Sequence, residues 1–194
     1  MTGPESSEIG ASDRAGVALP PINRTVALVG LMGAGKTTIG RRLAHALALP
    51  FADADAEIAA AAGCSIPEIF EKHGEAEFRR GERQVIARLL AGPTLVLATG
   101  GGAFIDPETR ALMKQRATSI WLKAPLDVLM RRVSKRDDRP LLKQDDPQAV
   151  MQRLMEARYA IYAQADLTVE TDAGPHEAAV GAIIAALRAC PGKA

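Results

Sequence analysis

The chain has 194 residues, of which 47% are hydrophobic and 24% are charged, and its net charge is +1. This composition is typical of one globular domain, and it excludes binding of nucleic acid or anionic membranes through overall charge. No apolar run reaches the ~18 residues that a membrane helix needs, and the first residues lack a signal-peptide pattern. We therefore expect a cytoplasmic protein that contacts neither membrane nor nucleic acid.

Residues 1–22 are rich in small and acidic residues and show no hydrophobic periodicity. We interpret this segment as a disordered leader, and its acidic residues argue against a transit peptide. A single folded domain is predicted over residues 23–190, followed by a short tail at 191–194. The two cysteines, Cys64 and Cys190, lie far apart and are interpreted as idle thiols.

Short, continuously apolar runs alternate with helical stretches after the leader. Strands are predicted at residues 25–29, 51–53, 94–98, 119–122 and 167–170. Helices are predicted at about 36–48, 75–90, 125–133, 148–163 and 175–189, with others opening at Ser65 and Pro107. Apolar runs of this kind are typical of parallel strands buried on both faces. The sequence thus predicts an α/β three-layer sandwich around a five-stranded parallel sheet, with ligands at the carboxyl ends of the strands.

The segment at about 134–147 differs from its surroundings in being polar, charged and interrupted by prolines. It is too polar to be core and too long to be a tight turn. We predict that it forms a mobile lid over the ligand site.

Residues 30–37, Gly-Leu-Met-Gly-Ala-Gly-Lys-Thr, match the Walker A pattern between a predicted strand and a predicted helix. Glycines allow backbone N–H groups to surround a phosphate, and the helix directs its positive end at the same group. Lys36 is expected to reach the β- and γ-phosphates, and the Thr37 hydroxyl to bind Mg²⁺. The residues expected to bind the nucleotide in this segment are Gly33, Ala34, Gly35, Lys36, Thr37 and Thr38.

Two aspartates follow the second predicted strand. The strand at 94–98 ends in Thr99 rather than in the acidic residue that many P-loop proteins place there, so Asp53 and Asp55 are the candidates for that role. In an extended segment their spacing puts both on one side, where one could assist Mg²⁺ and the other meet an acceptor hydroxyl. A solvated turn whose acidic residues cap the next helix is the alternative.

Two further signals concern the carboxyl end of the third strand and the arginines. Three glycines, Gly100, Gly101 and Gly102, follow that strand directly, which favours close approach of backbone to a ligand over a flexible turn. Periodicity alone does not indicate which of the arginines bind a ligand.

A GTPase is excluded, because its guanine-reading motif needs an asparagine late in the chain and the only asparagine is Asn23.

Six motifs, in order along residues 25–187, resemble the shikimate kinase family of nucleoside-monophosphate-kinase-like P-loop enzymes. They are the glycine loop 30–37, the pair Asp53 and Asp55, residues 74–79, the glycine triplet 100–102, residues 139–142, and Arg158 followed by Tyr162. The resemblance implies ATP- and Mg²⁺-dependent phosphorylation of the 3-hydroxyl of shikimate to 3-phosphoshikimate, a step of aromatic amino-acid biosynthesis, by a monomer.

At the acceptor end, the resemblance implies that Asp55 hydrogen-bonds the ring hydroxyls, either as a base or by positioning. Arg79 and Arg158 would bind the shikimate carboxylate, for which planar guanidinium groups are suited. The backbone of the triplet, Gly100 to Gly102, would contact the ring hydroxyls. Without substrate, we expect the two guanidinium groups to repel each other.

At the nucleotide end, the resemblance implies that Asp53 orients water on Mg²⁺ and that Arg139 reaches the transferring phosphate from the lid. Arg132 would pack on one face of the adenine and Pro175 on the other face. The chain departs from the family at Ala160, where a proline is common.

Two alternatives stay open at this point. One is a gluconate-kinase-like or nucleotide-kinase-like enzyme, and the other is a nucleotide-binding module without catalysis.

Overall fold

The computed structural model describes residues 22–134, 146–172 and 174–190. The predicted leader up to residue 21, residues 135–145 of the predicted lid with Arg139, and the tail lie outside the described residues. Within the described ranges no helix is both long and apolar enough to cross a membrane.

Five strands form one parallel sheet, as the sequence predicts. The strands are β1 (Thr25–Val29), β2 (Phe51–Asp53), β3 (Val96–Ala98), β4 (Ala117–Lys123) and β5 (Leu167–Glu170). Their spatial order is β2-β3-β1-β4-β5, and every neighbouring pair is parallel. All five residues of the central strand β1 are buried, because both of its faces are covered by helices.

The helices that cover the sheet are α1 (Lys36–Leu47), α2 (Ala54–Ala62), α3 (Ile66–Ala91), α4 (Pro107–Arg116), α5 (Leu126–Val133), α6 (Pro147–Tyr162) and α7 (His176–Ala189). The chain moves one way from β1 to β2 and the opposite way from β2 through β3 and β4 to β5. Right-handed crossovers therefore place α1 on one face and α3, α4 and α6 on the other. The packing of α1 against α7 and of α3 against α4 agrees with this three-layer α/β arrangement.

The acidic segment after β2 and the long helix after it differ in detail from the prediction. Helix α2 begins at Ala54, so Asp55 lies in its first turn rather than in an extended segment. Ser65 and Glu68 form the predicted capping box, with the Ser65 N–H donating to the Glu68 carboxylate at 2.8 Å. The two helices predicted on either side of Gly74 join in α3 but are separated by a kink at this residue, whose φ of 78° is open to glycine at little cost.

An aromatic cluster joins the sheet to α6 beneath the glycine loop. Trp121, which pairs with Val29 in the sheet, is 6% exposed. Its ring stacks on Tyr162 at a centroid distance of 6.0 Å and meets Tyr159 edge-on at 4.9 Å. A Cβ on Gly30 would lie 3.4 Å from Trp121 Cδ1, so the glycine loop begins in contact with this cluster. Such rings bury large apolar areas and thereby fix α6 against the sheet.

Candidate active site

The loop between β1 and α1 has the conformation that a phosphate-binding loop requires. Gly33 and Gly35 have φ values of 81° and 93°, in the left-handed region that favours glycine. A Cβ on Gly33 would also lie 2.9 Å from the carbonyl oxygen of Leu129, so packing and backbone both demand glycine there. Gly35 is the N-cap of α1, and the helix therefore directs its first N–H groups toward the loop.

The Lys36 ammonium lies inside this loop. Its Nζ donates to the carbonyl oxygens of Gly30 and Leu31, each at 2.8 Å, and the residue is only 9% exposed. The side chain thus spans the loop from its last turn to its first. A buried cation at a glycine loop that leads into the start of a helix makes the loop suited to a polyphosphate.

Thr37 and Asp53 meet across the cleft between α1 and β2. The Thr37 Oγ1 donates to Asp53 Oδ2 at 2.7 Å, which brings a hydroxyl and a carboxylate oxygen to one point. Asp53 is also the N-cap of α2, since its Oδ1 accepts from the Asp55 N–H at 3.1 Å. The expectation that an extended backbone aligns the two aspartates is wrong, because the chain turns into helix at Ala54. Both nevertheless line the same cavity.

The glycine triplet lies where side chains from α2 and α3 converge. A Cβ on Gly100 would lie 2.7 Å from Glu82 Oε1 and 2.8 Å from Asp55 Oδ1. A Cβ on Gly102 would lie 2.5 Å from a guanidinium nitrogen of Arg79. A side chain at either position would displace these groups, so glycine allows the carboxylates and the guanidinium to approach the backbone.

Arg79 is held by two carboxylates of its own helix. Its Nη1 donates to Glu82 Oε2 at 2.7 Å, and its Nη2 donates to Glu75 Oε1 at 3.2 Å. Burial opposes the charge of the guanidinium, but the hydrogen bonds and charges of Glu82 and Glu75 outweigh it and raise the pKa of Arg79. The two carboxylates therefore offset the charge of Arg79, which reduces the expected repulsion between Arg79 and Arg158.

Glu82 is a buried carboxylate that sequence reasoning missed. The residue is 2% exposed, and its Oε1 has no hydrogen-bond partner among the described residues. Burial raises the pKa of Glu82 more than its hydrogen bond to Arg79 lowers it, and the charges of Asp55 and Asp106 add to the rise. The available signal was its spacing of three residues from Arg79 on one helix, which places the two side chains together.

Arg158 and Tyr162 reach the same triplet from α6. Arg158 Nη1 donates to the Gly101 carbonyl oxygen at 3.3 Å, and the Tyr162 hydroxyl donates to that same oxygen. Burial raises the pKa of Tyr162 to about 12, so this hydroxyl keeps its proton at neutral pH. The structure therefore assembles Asp55, Arg79 and Arg158 around the triplet although they are far apart in sequence.

Arg132 marks the opposite end of the cleft. Its Nη2 donates to the Asp172 carbonyl oxygen at 2.5 Å, and its Nη1 lies 3.4 Å from the carbonyl oxygens of Gly33 and Ala34. Burial, together with the charge of Arg131, lowers the pKa of Arg132. Pro175 follows as the N-cap of α7.

A cavity of about 440 Å³ extends from Asp55 and Gly101 to Arg132 and His176, and Arg79 and Arg158 are not in its wall. The predicted site residues in its wall are Gly33, Gly35, Lys36, Thr37, Thr38, Asp53, Asp55, Gly101 and Arg132. Thr99 and His176, which the sequence analysis did not select, also line it. The Thr99 hydroxyl donates to the Leu28 carbonyl oxygen at 2.9 Å, an arrangement that fixes the end of β3 against β1.

A family model described as shikimate kinase matches residues 32–188 of the chain. A shikimate kinase of Caulobacter vibrioides is 59% identical over 165 residues, covering 85% of this chain and 82% of that protein. A shikimate kinase of Nitrobacter winogradskyi is 55% identical over 189 residues, covering 96% of this chain and 88% of its own length.

Among solved structures, that of shikimate kinase from Acinetobacter baumannii in complex with shikimate has the same fold. It superposes with a TM-score of 0.83 at 38% identity, covering 86% of this chain and 93% of that one.

Proposed function

The chain belongs to the shikimate kinase family, and on that basis we propose that it transfers the γ-phosphoryl group of Mg-ATP to the 3-hydroxyl of shikimate. The observation that carries the proposal is the convergence of Arg79 and Arg158 on the glycine triplet beside Asp55. Two guanidinium groups beside one carboxylate fit an acceptor that carries a carboxylate at one end and hydroxyls at the other. The products would be 3-phosphoshikimate and ADP, within aromatic amino-acid biosynthesis.

The residues at the loop fit a magnesium ion held largely by phosphate and water. Mg²⁺ prefers oxygen ligands and commonly takes only one or two from the protein. The Thr37 hydroxyl and the Asp53 carboxylate, 2.7 Å apart, supply such oxygens at the start of α1. We assign Thr37 as the direct ligand and Asp53 as the group that orients metal-bound water. When bound, the ion would neutralise charge on the β- and γ-phosphates.

Asp55 is assigned to the attacking hydroxyl. Its carboxylate lies next to Gly100 at the edge of the cavity that Lys36 and Thr37 also line. In that position it can accept the hydroxyl proton as the oxygen attacks the γ-phosphorus and the bond to ADP breaks. Lys36 would exchange its loop carbonyl partners for phosphate oxygens and stabilise the charge in transfer.

Three assignments rest on the resemblance to the family. Arg139, outside the described residues, would add a cation to the transferring phosphoryl group. Arg132 and Pro175 would hold the adenine. We further propose that the chain acts as a monomer in the cytoplasm, as expected from its sequence.

A coupled ADP-release assay with a panel of acceptors tests the proposal. We expect turnover with shikimate and little with gluconate or nucleoside monophosphates. The methyl ester of shikimate, which lacks the carboxylate charge, should be a poor substrate. An ester that reacts as well as the acid would overturn the carboxylate clamp, and faster turnover of gluconate or a nucleotide would replace the proposed acceptor.

A further inference from the structure

The end of the cleft remote from Asp55 contains a histidine that the proposed chemistry does not use. A second cavity of about 100 Å³ adjoins the first, and the two share Arg132, Gly174 and His176. The smaller cavity is otherwise lined by apolar groups of α1 and α7 and by residues 170–172. His176, the first residue of α7, therefore stands at the junction of both cavities.

The protonation state of this imidazole follows from its neighbours. Burial lowers the pKa of His176, the charges of Arg132 and Arg42 lower it further, and Glu177 alone opposes them. The ring is therefore neutral at pH 7 and carries one N–H. The imidazole therefore acts as a hydrogen-bonding group and does not add a positive charge to those of Arg132 and Arg42.

The enclosed edge of the ring indicates which nitrogen carries the proton. Nδ1 is buried and has no hydrogen-bond partner in the part of the chain that the structure describes. A lone pair is the less costly occupant of that position, because the charges that act most strongly on the ring are the guanidinium groups of Arg132 and Arg42. The proton then resides on Nε2, on the opposite edge of the ring, which is the edge available to the cavities.

We propose that His176 is a specificity-determining residue that donates its Nε2–H to the nucleoside half of ATP. This inference rests on the proposed function for the identity of the nucleotide. The phosphates are assigned to the loop around Lys36 and Thr37, and the same cavity is lined by Arg132, which is assigned to the adenine, and by His176. The acceptor for the imidazole N–H is thus an oxygen or ring nitrogen of the ribose and base.

Calorimetric titrations of the full chain in the presence of Mg²⁺ and without acceptor test this assignment. Two probes are used, ATP and inorganic tripolyphosphate, and only the first contains a nucleoside. We expect His176→Ala to weaken ATP binding about five- to tenfold, the loss typical of one hydrogen bond, and to leave tripolyphosphate binding unchanged. His176→Gln, whose amide N–H₂ can reach the position of Nε2, should retain most of the affinity for ATP.

His45→Ala provides the matched control, since His45 is an exposed histidine in the last turn of α1. It should bind both probes as the unaltered chain does. Unchanged ATP affinity in His176→Ala would overturn the proposal, and so would equal losses for ATP and tripolyphosphate. If His176→Ala fails to fold, the comparison is made between His176→Gln and His176→Leu, and equal affinity of these two variants for ATP overturns it. Because no acceptor is present, a failure of the shikimate assay does not affect this reading.

Discussion

At the phosphate end of the cleft, the loop and helix start expected to bind the phosphates form one continuous segment, residues 30–38, whereas at the acceptor end the binding groups come from four separate elements. Asp55 lies on α2, Arg79 on α3 and Arg158 on α6, and all three meet at the loop after β3. The first site is shaped by local backbone conformation, and the second exists only once the tertiary fold has formed. The two ends should therefore respond differently to substitution.

Removal of the lysine at the phosphate end should have the largest effect. We expect Lys36→Ala to lower kcat about 100- to 1000-fold, because the transferring phosphoryl group loses a positioned cation. Shikimate affinity without nucleotide should stay unchanged, as measured by calorimetry. Lys72→Ala, which alters an exposed lysine of α3 paired with Glu68, is the control and should keep full activity. Loss of shikimate affinity in Lys36→Ala would show that the two ends are not separable.

Truncation of Arg158 on α6 should affect the acceptor end of the cleft instead. One charge-assisted contact is lost, so we expect Arg158→Ala to weaken shikimate binding about 10- to 100-fold. ATP affinity should hardly change. Arg153→Ala is the matched variant, since Arg153 is an exposed arginine of the same helix. The carboxylate clamp is wrong if the two variants bind shikimate equally well.

Neutralisation of Glu82 should have the smallest effect on activity, and it should change the pH dependence of the free energy of unfolding. Its folded-state pKa is raised above the ordinary value of 4.5, mainly by burial. The stability that this carboxyl contributes is thus fully present below its unfolded pKa and is lost as the pH rises through the folded pKa. We expect the free energy of unfolding of the unaltered chain to fall, relative to that of Glu82→Gln, as the pH rises from 4.5 toward neutrality.

Urea denaturation across that pH range measures the difference. Glu77→Gln is the control, because Glu77 forms an equivalent ion pair with Arg80 three residues later but on the surface. The KM for shikimate should also rise in Glu82→Gln, since Arg79 loses the carboxylate that orients it. A stability difference independent of pH would contradict the role of burial.

The sequence alone predicted the residues of the phosphate end but not those of the acceptor end, because only the first are close together along the chain. Walker A spacing implies a loop, a helix start and a cation within a few residues, so Lys36 and Thr37 could be assigned locally. Arg79 and Arg158 could not be chosen by periodicity among many arginines, because their meeting point depends on how α3 and α6 pack. The resemblance to a known family supplied that choice.

Details that depend on tertiary burial were not accessible from spacing. Asp53 and Asp55 both line the cavity, but the start of α2 contradicts the extended-backbone argument by which they were selected. Glu82 looked like one more surface carboxylate on a charged helix. Only the packing of α3 against the glycine triplet shows that it is buried and close to Asp55.

The aromatic cluster beneath the glycine loop has an optical consequence. Trp121 is the only tryptophan of the chain, and its ring contacts both the start of the loop at Gly30 and Tyr162 on α6. Its emission therefore originates from a single point beside the start of the glycine loop and the helix that carries Arg158. Occupancy of either half can change the surroundings of the same indole, so the native chain contains its own fluorophore for following ligands without a label.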